Sequence, residues 1–495
     1  MCIVCLGAMA ATSVLTSVLP SAAVEEPKPD SVKVEQATVA VTPQITGTKC
    51  TKSGVFRTAK TVRYQCRKSA QGLRWIAAPS KTSSPTSSTT TTTTEPYRQS
   101  SNVSSNLDLC RLTDRSTQRL RHGWLGAGFP RIESNFEAQG TFKVAMIPID
   151  FADLPGDANV ATRVADQMKL VSDWYDTVSE SKVAIQWQTH NSWVRVSGNS
   201  TDFALNRSRS DDNRLAQAAF LVADPLFDFT NVRAVAFVLP AGQTFMAESV
   251  QGFRHSEFGS SGGYATAEGR IYNYMIAGAY FDRQYKAPWT YWAHEMGHMF
   301  PLPDLYDQTG QWWIGKVLEI PGGPFSGFDM MANQDGPSRT LGGWLRFVMG
   351  WLTDSQVFCK PFSDLTSTQL MLAPIDDRRS GLKAVMIPIS ETKLIVVESR
   401  RHNKKFDCAN SGESTNVWRG RNGVIVYTAD MTLGHGEGFQ TLVAPSGRGL
   451  HSLATCSAPP QLDALLQTGD SVVTNGVKIS VVKSATYDTI EITKP

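Results

Sequence analysis

The chain has no polybasic block and almost no net charge: 48 Lys and Arg stand against 45 Asp and Glu, a formal +3. That balance supplies no dominant field to draw in nucleic acid or anionic lipid. Beyond the N-terminus there is no apolar run of the ~20 residues that a spanning helix needs, so stable membrane insertion is not expected. Histidine is scarce, with eight in 495 residues. After the first 23 residues no two cysteines form a CxxC pair, which speaks against a cysteine zinc site. What is present, 41% hydrophobic and 19% charged residues, is ordinary globular material, long enough for two or three domains.

Residues 1–23 are apolar and rich in small side chains, ending Leu19-Pro20-Ser21-Ala22-Ala23, and read as a secretory signal peptide. A membrane anchor is the competing reading, but serines and threonines interrupt the run. Without this segment six cysteines are left: Cys50, Cys66, Cys110, Cys359, Cys408 and Cys456. An even set in an extracellular protein reads as disulfides. Order along the chain suggests Cys50 with Cys66, Cys110 with Cys359, and Cys408 with Cys456. An inhibitory metal-binding thiol at Cys110 is the alternative.

Residues 24–46 are rich in Pro, Glu, Lys and Val without helical periodicity and read as a flexible segment. Residues 47–79 form a small module with strands expected at 47–50, 64–67 and 73–76, stapled by Cys50 and Cys66 because so short a unit buries little core. Its Lys and Arg residues suit contact with an anionic cell wall, or simply a solvated basic face. Residues 80–105 are a Ser/Thr-rich linker with an unbroken run from Thr89 to Thr94.

Strands and helices then alternate over 106–352. Residues 142–151 read as a buried strand, and Val164, Met168, Val171, Tyr175 and Val178 mark one face of a helix. Strands follow at 183–187 and 193–196. A second helix is expected over 211–222, with Ser210 as its cap, and further strands at 232–239 and 271–277. The alternation predicts an α/β domain with a mostly parallel sheet. Residues 341–351 read as its closing helix, and the long loop 241–270 carries His255. From 353 to 495 the texture changes to short β-rich runs between turn residues, which suggests a β-sandwich.

One stretch carries chemistry: His294-Glu295-Met296-Gly297-His298 is an HExxH sequence, on a helix expected to start near Pro288 and end near Met299. Four residues advance an α-helix about one turn, so both histidines project from the same face and can close on one metal ion. Glu295 lies beside that face, placed to take a proton from a water in the ion's open position. The plainer reading is three polar residues on an amphipathic helix, which eight histidines in the whole chain make improbable. A catalytic zinc normally takes three protein ligands. Asp304, six residues past His298 at the eleventh position of HExxHxxGxxH, is the best third candidate, with Asp307 as the understudy. Asp304, Asp307 and Asp335 are oxygen donors nearby, which leaves Ca²⁺ open as a second ion, although EF-hand spacing is absent.

HEMGHMFPLPDLYD, followed by Phe328-Asp329-Met330-Met331-Ala332 and Met349-Gly350-Trp351-Leu352, resembles the immune inhibitor A family of secreted zinc metallopeptidases, which belongs with the metzincins. The resemblance implies His294, His298 and Asp304 as zinc ligands, Glu295 as general base, and Met331 as the Met-turn residue beneath the metal. It implies an α/β metzincin-like catalytic domain. The family pattern has Gly where this chain has Pro301. Proline cannot supply the positive φ that glycine gives there, so the helix is expected to end near Met299 by a different turn.

The expected function is a secreted zinc endopeptidase acting on proteins or peptides. The rivals are an extracellular adhesin or wall-binding protein with a structural metal site, and a zinc hydrolase of non-peptide amides. His435, between Gly434 and Gly436, suits either a transition-state stabiliser or, more simply, a surface loop.

Overall fold

The structure is a computed structural model of the chain. The residues it describes are 49, 51, 56–59, 62–69, 72–77 and 105–495, less 123–124, 134–135, 159, 207–208, 246–250, 255–261, 279–286, 308–322, 409–421, 447 and 449–463. The signal, the flexible segment, nearly all of the linker, and His255 lie outside them. Chain contacts divide it into two units, Met1–Thr93 and Thr94–Pro495.

In the first unit three antiparallel strands run in order Phe56–Ala59, Val62–Ser69 and Gly72–Ala77. The first of these was not expected from the sequence. The last two strands pair with Ser69 opposite Gly72, and Gly72 takes φ +98°, which glycine enters without a Cβ clash. Cys66 is buried and disulfide-bonded; its expected partner Cys50 lies outside the described residues.

The second unit is mixed α/β. Its first sheet runs Gln251–Arg254, Asn273–Ala277, Val232–Val238, Gly140–Asp150, Val183–Thr189, with Val194–Arg195 added beside the end of Gly140–Asp150. All pairings are parallel except that of the edge strand Gln251–Arg254. The strand Gly140–Asp150 alternates between two cores, which is why its sequence is apolar on both faces. Phe142, Val144 and Met146 face a core shared with helix α2 (Val160–Val178) and helix α4 (Pro288–Met299). Ala145, Ile147 and Ile149 face helix α3 (Asp212–Ala223). Asp211, not the expected Ser210, caps α3, its carboxylate accepting from the Arg214 N–H at 3.1 Å.

Further on, a five-stranded sheet (Val357–Cys359, Ala384–Pro388, Lys393–Arg400, Gly423–Asp430, Gln440–Leu442) faces a four-stranded one (Thr368–Leu372, Asp488–Thr493, Val477–Ser484, Ser471–Thr474). Val385, Ile395, Val397 and Val426 meet Val472, Ile479 and Ile490 in the core between them. The alternate residues Met386, Val396, Ile425 and Tyr427 point the other way, into the core that holds α2 and α4. Residues 106–352 and 353–495 therefore share one apolar interior. Within it lies the six-residue helix α5 (Gly343–Val348); the short helix α1 (Thr117–His122) is the first described α-helix of the unit.

The expected Cys110–Cys359 bridge is present, closing 249 residues of sequence with Cα atoms 6.0 Å apart. That removes the free-thiol reading of Cys110. Cys408 is also disulfide-bonded, and Cys456 lies outside the described residues. Among the described residues no helix is long and apolar enough to cross a membrane.

Candidate metal centre

Helix α4 opens with Pro288 at its first turn, where a missing N–H costs no helical bond. Gln167 of α2 satisfies the next first-turn donor, its side-chain oxygen accepting from the Trp289 N–H at 2.9 Å. Trp289, Trp292, Met296 and Met299 are fully or almost fully buried. Full burial of such a side chain is worth ~1.5–3 kcal/mol, so packing rather than helix propensity orients α4. Tyr175 adds a hydrogen bond to the Ala293 carbonyl at 2.7 Å. With that face fixed inward, His294 and His298 emerge together, their rings perpendicular with centroids 5.0 Å apart.

Each histidine is anchored through Nδ1, which lies 3.0 Å from the Met330 carbonyl in His294 and 2.8 Å from the Leu302 carbonyl in His298. A carbonyl only accepts, so both Nδ1 atoms carry protons and both Nε2 atoms are directed at the cluster. There they meet Asp304: Oδ1 is 3.1 Å from His294 Nε2 and 3.4 Å from His298 Nε2. The ligand-type atoms of these three residues lie within 4.8 Å of one another, and among the described residues no other such group occurs. Among the described residues, Asp307 and Asp335 do not join this group.

The donor set fits a zinc ion. Bonds of about 2.0–2.2 Å to nitrogen and oxygen imply tetrahedral ligand separations of about 3.3–3.5 Å, close to the two measured here. Histidine rings held by carbonyls at the far nitrogen are the usual outer support of such a site. Glu295 is half-buried beside the cluster.

The charges are coupled. Burial disfavours the charged Asp304 carboxylate, yet His298 and His294 offset this and hold its pKa well below the usual range. Burial likewise opposes charging of the histidines. Asp304 and Glu295 prevail, raising His294 and pushing His298 up to about 9.

The turn after α4 departs from expectation. Pro301 itself takes a positive φ, 28°, outside the range its ring favours. The Leu302 N–H reaches back to the Gly297 carbonyl at 3.0 Å, the longer bond of a Schellman motif, while proline has no N–H for the shorter one. The same kind of turn that glycine makes is therefore made here under strain.

Beneath the helix, Met330 and Met331 belong to a loop whose backbone is tied to Asp329. Its carboxylate accepts from the Met331 and Gly342 N–H groups. Burial raises the Asp329 pKa to about 7. Behind it, from the five-stranded sheet, Glu398 accepts from the Gly343 N–H and the Tyr427 hydroxyl and pairs with Arg400, all buried. Glu398, Arg400 and Tyr427 carry no sequence signal, whereas Asp329 and Met331 lie in the motif the sequence shows. His435 lies beside the site and not merely in a surface loop, its Nδ1 accepting from the Asp304 N–H at 3.0 Å. Its flanking glycines, in a histidine-poor chain, were the one available clue.

No family model matches the chain, and no curated protein matches it. Among solved structures it is similar to the crystal structure of catalytically inactive OgpA from Akkermansia muciniphila in complex with an O-glycopeptide (glycodrosocin) substrate. That match covers 72% of this chain and 93% of that one, at 10% identity and a TM-score of 0.24. A likeness at that level carries no argument about chemistry, which rests on the site itself.

Proposed function

We propose that the chain is a zinc-dependent peptidase, exported from the cell, that hydrolyses peptide bonds in proteins or peptides. One observation carries this reading: His294, His298 and Asp304 converge at the separations a zinc ion requires, beside an accessible Glu295. His294, His298 and Asp304 would hold the ion. Bound zinc would supply a Lewis acid that polarises a carbonyl and acidifies water. Glu295 takes a proton from the attacking water as its oxygen bonds to the peptide carbon, and delivers that proton to the amine as the C–N bond breaks. Among the described residues three ligands converge rather than four, which favours catalysis over a purely structural site. The Cys110–Cys359 bridge favours an oxidising compartment.

The test compares the parent with Glu295→Gln at equal zinc content on an unfolded protein substrate, with and without a chelator. The parent is expected to cleave and to stop on chelation. Glu295→Gln should keep its zinc and lose about 10²–10⁴ in rate. Equal turnover in both would refute the mechanism, and zinc binding without cleavage by the parent would favour the wall-binding alternative.

A further inference from the structure

Both backbone groups of Asp304 are held by one distant loop. Its N–H donates to His435 Nδ1 at 3.0 Å, and its carbonyl accepts from the Gly436 N–H at 3.2 Å. One step on, Asp307 and Glu437 form an antiparallel bridge. The loop is pinned in turn. Glu437 accepts from the Gly434 N–H at 2.9 Å and from the Gln118 side chain at 2.9 Å. Gly434 presses on Ser116 so closely that a Cβ there would stand 2.5 Å from its Oγ. Gly436 takes φ +68°, which lets the loop turn under Asp304.

The chemistry of the contact fixes the role of the ring. An Nδ1 that accepts a backbone N–H spends its lone pair there, so it cannot also ligate an ion, although it lies only 3.6 Å from Asp304 Oδ2. Asp304 has no helix to orient it, unlike His294 and His298, and the strained turn at Pro301 precedes it by three residues. Something else must fix its backbone before its Oδ1 can be aimed at two imidazoles.

We propose that His435 is a positioning residue for the third metal ligand, its Nδ1 fixing the Asp304 backbone and so setting metal affinity without touching the ion. The identity of the ion rests on the zinc reading above; the hold on Asp304 does not.

The experiment uses the full chain with His435→Ala, His435→Asn and His435→Gln. The Asn Oδ1 stands the same number of bonds from the backbone as the His Nδ1 and can accept the Asp304 N–H, whereas the Gln amide is one carbon too far out. Zinc affinity should fall about 10–100-fold in His435→Ala and His435→Gln, as for loss of an outer support, and be largely restored in His435→Asn. Exchange of the Asp304 amide in the metal-free protein should quicken in Ala and Gln and stay slow in Asn. Should His435→Ala fail to fold, the contrast between Asn and Gln decides. Parent-like affinity and exchange in Ala or Gln would overturn the proposal, as would equal losses in Asn and Gln. A parent that takes up no zinc would sink the peptidase reading, and amide exchange alone would then decide the role of His435.

Discussion

Gly297 and Met331 meet so closely that no β-carbon fits between them: one built at Gly297 would stand 2.8 Å from the Met331 sulfur and 3.2 Å from its methyl group. The glycine lies between the two histidines on α4, and Met331 is fully buried. The contact lets the loop that carries the Met330 carbonyl approach the helix near enough to hold His294.

Gly297→Ala should therefore destabilise the protein despite its better helix propensity. Overpacking costs about 1–3 kcal/mol, against a gain of about 1 kcal/mol from replacing a helical glycine. The cost should shrink in a Met331→Ala background, because the two changes share one contact. Denaturant unfolding of the four proteins of that cycle measures the coupling, and strictly additive effects would show that the packing is not what requires glycine.

Asp304→Ala should strip zinc, whereas Asp307→Ala should keep it. The Asp304 carboxylate lies between the two imidazoles, while Asp307 joins the 437 segment through its backbone. Metal content after dialysis at a fixed free zinc concentration separates the two, and loss in Asp307→Ala alone would reassign the ligand.

Pro301→Gly should stabilise the fold. It releases a proline from φ 28° and supplies the N–H that a Schellman turn sends to the His298 carbonyl. Backbone strain of order 1–3 kcal/mol is relieved, against about 0.4–1 kcal/mol of added freedom in the unfolded chain. The net gain should be about 1 kcal/mol, read from thermal unfolding. A lower melting temperature would show that the proline is not strained.

Zinc uptake should release protons at neutral pH. In the metal-free protein His298 titrates near 9, burial lowering it and Asp304 raising it by more, so at pH 7 its imidazole is charged. The folded pKa is raised above the unfolded one. Its contribution to metal-free stability is thus complete below about pH 6.5 and is lost as pH rises towards 9. Zinc competes with the same proton, so affinity should rise about tenfold per pH unit up to that range for each proton displaced. Titration calorimetry in buffers of different ionisation enthalpy counts the protons; none released at pH 7 would contradict the shift.

Much of the sheet and helix pattern was legible. The apolar stripe through Val164, Val171, Tyr175 and Val178 belongs to α2 and is buried along one face. The run 142–151 is a strand covered on both sides. The turn at Pro301 was not legible: a proline argues locally for a different turn, but the Leu302 to Gly297 bond and the burial of Phe300 and Leu302 hold it in place. His435 looked like a loop residue because glycine neighbours signal a turn and say nothing about what the turn abuts.

The sequence alone determined the pairing of His294 and His298, since their four-residue spacing becomes a shared face wherever the helix forms. It also put Asp304 within reach, a few bonds beyond the helix end. Only the tertiary structure decided what steadies these groups: Glu398 and Arg400 behind the Met331 loop, and His435 against Asp304, 131 residues away in the chain. Helical periodicity is set by covalent geometry and survives any packing. A contact across that separation exists only because the outer face of the five-stranded sheet shares its core with α4, and such stacking is written in the summed burial of many side chains rather than in any local pattern.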